Sequence, residues 1–272
     1  MSSTDSSVPS SSIADEVTRI LDAGDTAVLT TLIQAANNIG AKLLIYASGN
    51  SSGGLGSNLL NKAVTRQSVI FLNSKQDIQM SDVKEFAPEL TELSGAQVLF
   101  ERIQPEPRLV ICGAGHVGAA LAKLSDVLGY GCTLIDDRAE FVDRGRFGES
   151  AVELVAAENW SDAVTAAIGN GHGVYVAVVT RGHSEDETCM SAVMTCRPDY
   201  VGMIGSKRRT KIVLERLREA GASEEFLRSV HAPIGLDIGA VSPEEVALAI
   251  LAEIVAERRG GSGASLSKWR RD

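Results

Sequence analysis

In the second half of the chain, short apolar runs alternate with stretches whose apolar residues recur at helical spacing. One run covers residues 109–112, and the longest covers 174–180, which suits a central strand buried on both faces. The last helical stretch opens with Ser242, Pro243 and Glu245, a capping-box pattern with proline in the first turn. This alternation is typical of an α/β fold, and we predict a C-terminal Rossmann-like domain with a doubly wound parallel sheet.

The first part of the chain has a less regular pattern. Ser12 is a suitable N-cap for a helix, and residues 59–64 have the apolar spacing of a short second helix. Four segments have the apolar runs of strands: 27–34, 42–47, 68–73 and 96–103. We therefore expect a smaller, mixed α/β domain at the N-terminus.

These patterns divide the chain into five parts. Residues 1–11 are rich in serine and lack both a basic and an apolar stretch, so a disordered tail is expected rather than a signal peptide. The N-terminal domain covers 12–103. The two prolines of "QPEPR" favour an extended linker over 104–108. The Rossmann-like domain covers 109–260, and a flexible tail covers 261–272.

Composition excludes several classes of protein. The 272 residues carry a formal net charge of −9, which disfavours a nucleic-acid-binding protein, because such proteins normally present a basic face. No apolar run reaches the roughly 18 residues that a membrane-spanning helix needs. The four cysteines form no CxxC pair: Cys112, Cys132, Cys189 and Cys196. We therefore expect no structural zinc site, and a reduced cytoplasmic protein.

A glycine-rich turn follows the apolar run at 109–112. Its sequence matches G-x-G-x-x-G between a predicted strand and a predicted helix, the setting in which this pattern indicates phosphate binding. Glycine lets the backbone approach a phosphate or pyrophosphate closely, and the helix N-terminus attracts negative charge. The candidate contact residues of this turn are Gly113, Ala114, Gly115, His116, Val117 and Gly118. The alternatives are a turn that binds nothing and a His116 that only braces the loop.

The second strand of this domain ends in an acidic pair followed by a base. Asp136 stands 18 positions beyond Gly118, close to where a ribose-binding acid is expected in a dinucleotide site. Asp137 and Arg138 follow it directly. Arg138 suits either a ligand phosphate or an ion pair with its acidic neighbours, and the sequence leaves both open.

Two further loops leave the predicted carboxyl ends of strands, where ligands gather in open α/β sheets. The first contributes Thr180, Arg181, Gly182 and His183. The second contributes Gly205, Ser206 and Lys207, and it continues into Arg208 and Arg209. Basic residues at a helix start oppose the helix dipole, which favours a bound anion there. The alternative is a solvated basic patch that pairs with nearby acids.

Several stretches together resemble one known family. They are "PRLVICGAGHVGAALAKL", "TLIDDRAEF", "TRGHSED", "YVGMIGSKRR" and "APIGLDIGAVSPEEVALAILAEIVAER", and they are similar to the XdhC/CoxI family of maturation factors. The resemblance implies a protein that binds molybdenum cofactor, the molybdopterin complex of the metal. It also implies help with sulfuration of the cofactor and with its insertion. The expected partners are a cysteine desulfurase and an apo-enzyme of the xanthine or carbon monoxide dehydrogenase type, with a homodimer left open.

The N-terminal half departs from that family. Leu59 and Asn61 stand where the family has Cys and Glu after a glycine-triplet loop. A Cys-Gly-Gly motif is expected before the linker, and Leu93, Ser94 and Gly95 stand there instead. Because a soft metal favours thiolate ligands, these departures argue against a molybdenum-ligating role for this chain.

Three functions fit the sequence. The leading hypothesis is a non-catalytic or weakly catalytic maturation factor that handles a phosphate-bearing cofactor. The alternative is an NAD(P)-binding oxidoreductase or a dinucleotide-sensing subunit, and a third is a scaffold that only bridges partners. A dehydrogenase needs a positioned acid or base over the nicotinamide. None of the four histidines belongs to a recognisable dehydrogenase motif: His116, His172, His183 and His231.

Overall fold

A computed structural model describes residues 12–74 and 76–267 of the protein. The described chain divides into two compact units, one before and one after the Pro105–Glu106 bond. The predicted tail at 1–11 lies outside the described residues, as do the last five residues of the tail predicted at 261–272.

The first unit is built on an antiparallel sheet. Its strands are β1 (Ala27–Gln34), β2 (Lys42–Tyr46), β3 (Ser51–Gly53), β4 (Ile78–Asp82) and β5 (Gln97–Ile103). Its helices are α1 (Ile13–Ala23), α2 (Asn58–Asn73) and α3 (Val83–Phe86). The strand order is β3-β2-β1-β5-β4. One apolar cluster contains residues of α1, and a separate cluster contains residues of α2 and α3. The sheet is therefore covered on two faces.

The prediction of a strand at 68–73 is wrong, because these residues form the second half of α2. Their burial follows a helical period: Ser68 and Phe71 are buried, whereas Val69 and Ile70 between them are exposed. The Ser68 hydroxyl donates to the Val64 carbonyl one turn earlier. Periodicity alone does not distinguish a strand from a helix segment in an apolar run of this length. The packing of Phe71 in the core identifies it as helix.

The second unit contains a parallel sheet of six strands. They are β6 (Arg108–Cys112), β7 (Gly131–Asp136), β8 (Glu153–Ala156), β9 (Val174–Val178), β10 (Tyr200–Met203) and β11 (Val230–His231). The order is β11-β10-β9-β6-β7-β8, so the chain winds outward in both directions from β6 and β9. This is the Rossmann order with its switch point between those two strands, and the predicted doubly wound parallel sheet is confirmed.

Six helices accompany this sheet: α4 (His116–Val127), α5 (Trp160–Ile168), α6 (His183–Cys196), α7 (Lys207–Glu219), α8 (Glu224–Ser229) and α9 (Pro243–Arg259). One apolar layer contains residues of α4 and α9, and the other contains residues of α5, α6 and α7. The predicted capping box of the last helix is present, since the Ser242 hydroxyl accepts from Glu245 N–H and the Glu245 carboxylate accepts from Ser242 N–H. No helix within the described residues is long and apolar enough to cross a membrane.

Candidate functional site

A cleft of about 380 Å³ opens at the carboxyl ends of β6, β9 and β10, next to the switch point of the parallel sheet. Its lining residues come from four strand-to-helix turns and the start of α9: Gly113, Gly115, His116, Val117, Arg138, Val179, Thr180, Arg181, Ile204, Gly205, Arg209 and Pro243. Three arginines and no carboxylate are among these described residues. The cleft therefore presents positive donors to its contents.

The glycines of the turn after β6 have different structural roles. Gly113 has φ +112°, and a Cβ there would lie 2.7 Å from the Val179 carbonyl oxygen. A Cβ on Gly118 would lie 1.8 Å from the Gly113 carbonyl oxygen, so only glycine permits this approach of α4 to the turn. A Cβ on Gly115 would meet no atom within 4 Å. Gly113 and Gly118 are thus required by packing, whereas Gly115 faces open space beside the cleft.

Two of the helices next to this cleft, α4 and α6, begin without side-chain caps. Gly115 is the N-cap of α4 and Gly182 is the N-cap of α6, and neither helix start has a side-chain cap hydrogen bond. The other described helices of at least eight residues are capped by the side chains of Ser12, Ser57, Asn159, Ser206 and Ser242. The first N–H groups of α4 and α6 are therefore available to an anion, which the helix dipole also favours.

Asp136 fastens the glycine turn from below. Its carboxylate accepts from Ala114 N–H at 2.7 Å, from Arg138 N–H at 3.0 Å, and from the Arg138 side chain at 2.8 and 2.9 Å. Each oxygen receives two donors, so all of the roughly four acceptor positions of a carboxylate are used. Burial by itself raises the pKa of Asp136, but these hydrogen bonds outweigh it and lower the pKa. The carboxylate is thus ionised and 1% exposed.

Arg138 is held flat at the edge of the cleft. In addition to its bonds to Asp136, its guanidinium lies 3.6 Å from the centre of the Phe141 ring. Arg181 is held by Asp137, at 2.8 Å, and by Glu185, at 3.4 Å. Each arginine therefore has a partner that restricts its position, which lowers the entropy lost when it binds an anion.

Arg209 reaches the cleft from α7 and pairs with Asp186 of α6 through Nε at 2.7 Å. Asp186 is fully buried and also accepts from the Thr180 hydroxyl. Burial raises the pKa of Asp186 above its ordinary value, although the bonds from Thr180 and Arg209 act in the opposite direction. This buried pair connects two helices under the floor of the cleft.

Half of the sequence-predicted site residues line the cleft: Gly113, Gly115, His116, Val117, Arg138, Thr180, Arg181 and Gly205. The other predicted residues are not among its lining residues: Ala114, Gly118, Asp136, Asp137, Gly182, His183, Ser206 and Lys207. Ser206 caps α7 by accepting from Arg209 N–H at 3.2 Å. Lys207 lines a separate cavity of about 260 Å³. Ligand contact by any of these residues stays a prediction.

Four lining residues were not among the predicted ones: Val179, Ile204, Arg209 and Pro243. Val179 and Ile204 close apolar runs, and no sequence pattern separates them from the core. Arg209 belongs to the basic run that the sequence identified, but helix phase, not composition, turned Arg209 rather than Lys207 toward the cleft. Pro243 reaches it only because α9 packs beside α4.

Two of the four thiols, Cys132 and Cys189, are poor candidates for metal ligation. Cys112, Cys132 and Cys189 are buried, and Cys196 is partly exposed. Burial raises the pKa of the Cys132 thiol to about 11. Contact with Cys112 and burial also raise the pKa of Cys189. Because the thiolate is the metal-binding form, the environments of Cys132 and Cys189 disfavour coordination.

The family of the chain follows from its Rossmann-type unit. Residues 109–254, more than half of the 272, match the family model described as the XdhC Rossmann domain. The chain belongs to the XdhC family. The predicted resemblance to XdhC is thereby confirmed, and the matched segment of this XdhC protein includes the whole cleft.

Three curated proteins are similar to this XdhC chain. An uncharacterized Escherichia coli protein, YqeB, is 28% identical over 84% of the chain and 42% of its own length. A probable xanthine dehydrogenase subunit from Bacillus subtilis is 27% identical over 68% of the chain and 52% of its own length. The Escherichia coli molybdenum cofactor insertion chaperone PaoD is 28% identical over 61% of the chain and 44% of its own length. The chain thus spans about half the length of these relatives.

A solved structure has the same fold as this XdhC chain. A protein described as a xanthine dehydrogenase from Bacillus halodurans superposes with a TM-score of 0.64 over 94% of this chain and 68% of its own. The sequences are 18% identical, so the comparison supports the fold and not the activity.

Proposed function

We propose that this chain is a maturation factor that binds molybdenum cofactor and assists its insertion into an apo-enzyme of the xanthine or carbon monoxide dehydrogenase type. Two relatives carry names of this kind, a molybdenum cofactor insertion chaperone and a probable xanthine dehydrogenase subunit. The cofactor is cargo in this proposal, and the chain is expected to hold and release it without turnover.

The observation that carries the proposal is the donor set of the cleft. Arg138, Arg181 and Arg209 line it, together with the glycine turn at the start of α4. Guanidinium groups and N–H groups at a helix start are both strong donors to phosphate oxygens. Molybdopterin ends in a phosphate, and its nucleotide form contains a pyrophosphate, so this donor set suits either form.

The geometry does not favour an NAD(P)-binding oxidoreductase. A dinucleotide site uses the acid at the end of the second strand to accept hydrogen bonds from a ribose diol. Here Asp136 holds that position, but Ala114 and Arg138 already occupy both of its oxygens. To bind a ribose, this carboxylate would have to release the glycine turn that it fastens.

Support for sulfuration by a cysteine desulfurase comes from the family resemblance alone, as does the open possibility of a homodimer. In this chain the described thiols lie in the core or on α6. We therefore assign the sulfur-transfer step to the partner and to the chain only the role of holding the cofactor's phosphate. Co-purification with the desulfurase, and the mass of the chain in solution, test these two points.

Titration with pyrophosphate tests the proposed anion site. Gly115→Val places a side chain where Gly115 faces open space, so pyrophosphate affinity should fall at least about tenfold while the fold is retained. Gly95→Val is the matched control, because a Cβ on Gly95 also meets no atom within 4 Å, but Gly95 lies in the first unit. Equal pyrophosphate affinity of both variants and the wild type would contradict the proposal.

The delivery step needs a second experiment. Apo-enzyme of the xanthine dehydrogenase type is mixed with molybdenum cofactor in the presence of the wild-type chain or of Gly115→Val. The wild type should increase the recovered activity and the molybdenum content of the enzyme, and the variant should not. Equal recovery with no added chain would remove the insertion role.

A further inference from the structure

A second cavity, of about 610 Å³, lies in the groove between α4 and α9. One wall is a helical stripe of α4 that includes His116, Ala119 and Ala120. The opposite wall is the first part of α9, with Glu244 and Leu248. The family resemblance assigns no role to this groove, and its volume is in the range of small-molecule sites.

The groove adjoins the arginine-lined cleft. His116 lines both cavities, and Arg146, on the groove rim, donates to the Ala114 carbonyl of the glycine turn at 3.4 Å. On the side of α9, Pro243 lines the cleft and the next residue, Glu244, lines the groove. A ligand with its anionic end in the cleft can therefore contact the neighbouring groove through His116 and the first turn of α9.

The two cavities differ in chemistry. The cleft carries three arginines, whereas the groove combines four alanine and leucine side chains with five polar or charged residues. The polar and charged residues are His116, Lys123, Arg146, Glu244 and Glu245. Leu248 is 53% exposed, so covering it would remove apolar surface from water. This combination suits a flat ring, because the alanine and leucine side chains can pack on its faces and the polar and charged side chains can bond to its edge.

Glu244 supplies an acceptor for such a ring edge. The neighbouring carboxylate of Glu245 performs the helix capping, because it accepts from the N–H groups of Ser242 and Val241. Glu244 makes no hydrogen bond or ion pair with the described residues, and its side chain remains available at the rim. A carboxylate in this position matches N–H donors of a nitrogen heterocycle.

We propose that the groove between α4 and α9 binds the heteroaromatic ring of the ligand whose phosphate occupies the cleft. This inference rests on the proposed function, and it adds a ring subsite formed by the faces of α4 and α9. The adjoining anion cleft favours a phosphorylated heterocycle over a helix of a partner protein, because one phosphorylated heterocycle can contact both the cleft and the groove.

Calorimetry with two probes, inorganic phosphate and a pterin monophosphate, tests the ring subsite. The wild type should bind the pterin monophosphate at least about tenfold more tightly than phosphate, because only the former fills the groove. Ala120→Leu fills the groove and should abolish this difference while phosphate affinity is unchanged. Ala166→Leu is the matched control, since Ala166 is exposed on α5, away from both cavities.

A second variant guards against a folding defect in Ala120→Leu. Leu248→Asp places a charge on the exposed groove wall, and it should lower pterin monophosphate affinity about tenfold with no effect on phosphate. If both groove variants bind the pterin monophosphate as the wild type does, the ring subsite is wrong. The ring subsite is also wrong if the two groove variants bind the pterin monophosphate normally but no longer bind apo-enzyme. That result would make the groove a protein-docking site.

The two probes also separate this inference from the proposal on which it rests. If the wild type binds inorganic phosphate, and pterin monophosphate no more tightly, the ring subsite fails and the anion cleft stands. If it binds neither probe, the anion cleft fails as well.

Discussion

The turns after β6 and β10 have the same outline, since each leads from a parallel strand through glycine into a helix. They differ at the helix start. The turn after β6 ends in Gly115 and leaves α4 without a side-chain cap, whereas Ser206 caps α7 after β10. At an uncapped helix start the first N–H groups can donate to a ligand. At a capped start one of them already donates to the capping side chain.

The number of basic residues in a turn does not predict how many of them line the cleft. The turn after β10 is followed by Lys207, Arg208 and Arg209, yet only Arg209 lines the cleft. The turn after β6 contains no arginine, but Arg138 and Arg181 reach its cleft from neighbouring loops. An anion site in this fold is thus assembled from several turns, and local charge density is a poor guide to it.

The largest difference between the two turns is expected in stability. Gly118→Ala places a Cβ 1.8 Å from a backbone oxygen that cannot move alone, so we expect the free energy of unfolding to fall by about 3 kcal/mol or more. Gly205→Ala meets only side-chain atoms of Arg209 and Thr210 at 3.2–3.4 Å, with φ +155°. It should cost about 1–2 kcal/mol. Urea unfolding followed by circular dichroism measures both, and equal losses would contradict the comparison.

The second expected difference is in pH dependence. Asp136, with its lowered pKa, stabilises the turn after β6 fully above the unfolded value of about 3.9, and this contribution is lost as the pH falls through the folded pKa. Asp136→Asn should cost about 2 kcal/mol at pH 7 and remove that acid-dependent loss.

Ser206→Ala is the control for this experiment, because a hydroxyl cap does not titrate. It should cost about 1 kcal/mol at every pH. Unfolding free energies from pH 7 to pH 3 compare the two variants. If Asp136→Asn keeps the acid sensitivity of the wild type, other carboxylates cause it.

A smaller effect is expected on anion affinity. Arg181→Gln removes a guanidinium that lines the cleft, and pyrophosphate affinity should fall about tenfold, or 1.4 kcal/mol. Lys207→Gln removes a charge whose side chain lines another cavity, so the change should stay below about twofold. Calorimetry at low ionic strength measures both. Equal losses would mean that the charge-based prediction for Lys207 is right and the geometric distinction wrong.

The smallest effect, on cofactor retention, is expected from replacing three thiols that lie outside the turns after β6 and β10. Cys132→Ala, Cys189→Ala and Cys196→Ala together should leave cofactor retention unchanged, because the raised thiol pKa values of Cys132 and Cys189 disfavour metal binding. Molybdenum content and pterin fluorescence after reconstitution measure retention. Loss of both, with the circular dichroism spectrum intact, would assign these thiols a ligand role.

Local patterns predicted much of the fold. The strands at 109–112 and 174–180 and the capping box at Ser242 were readable because strand burial and helix capping depend on near neighbours. The strand predicted at 68–73 was wrong because neighbouring residues alone did not identify the element. Those apolar residues lacked a distinct period, and only burial of Phe71 in the core of the first unit identified them as helix.

The candidate site was less accessible to prediction. The glycine turn was found because Gly113 and Gly118 meet requirements of backbone approach that only glycine satisfies. The acid at Asp136 was found by its spacing, but its engagement by Ala114 and Arg138 was not, because hydrogen-bond partners across a turn leave no pattern in the sequence.

The sequence by itself determined the parallel order of strands and helices, the turn that precedes α4, and membership of the XdhC family, because each depends on residue types at fixed spacing. Tertiary structure alone decided that Arg209 rather than Lys207 faces the cleft and that a groove between α4 and α9 adjoins it. The reason is that helix phase and the packing of distant helices set the direction of a side chain, and neither is encoded in a short stretch of residues.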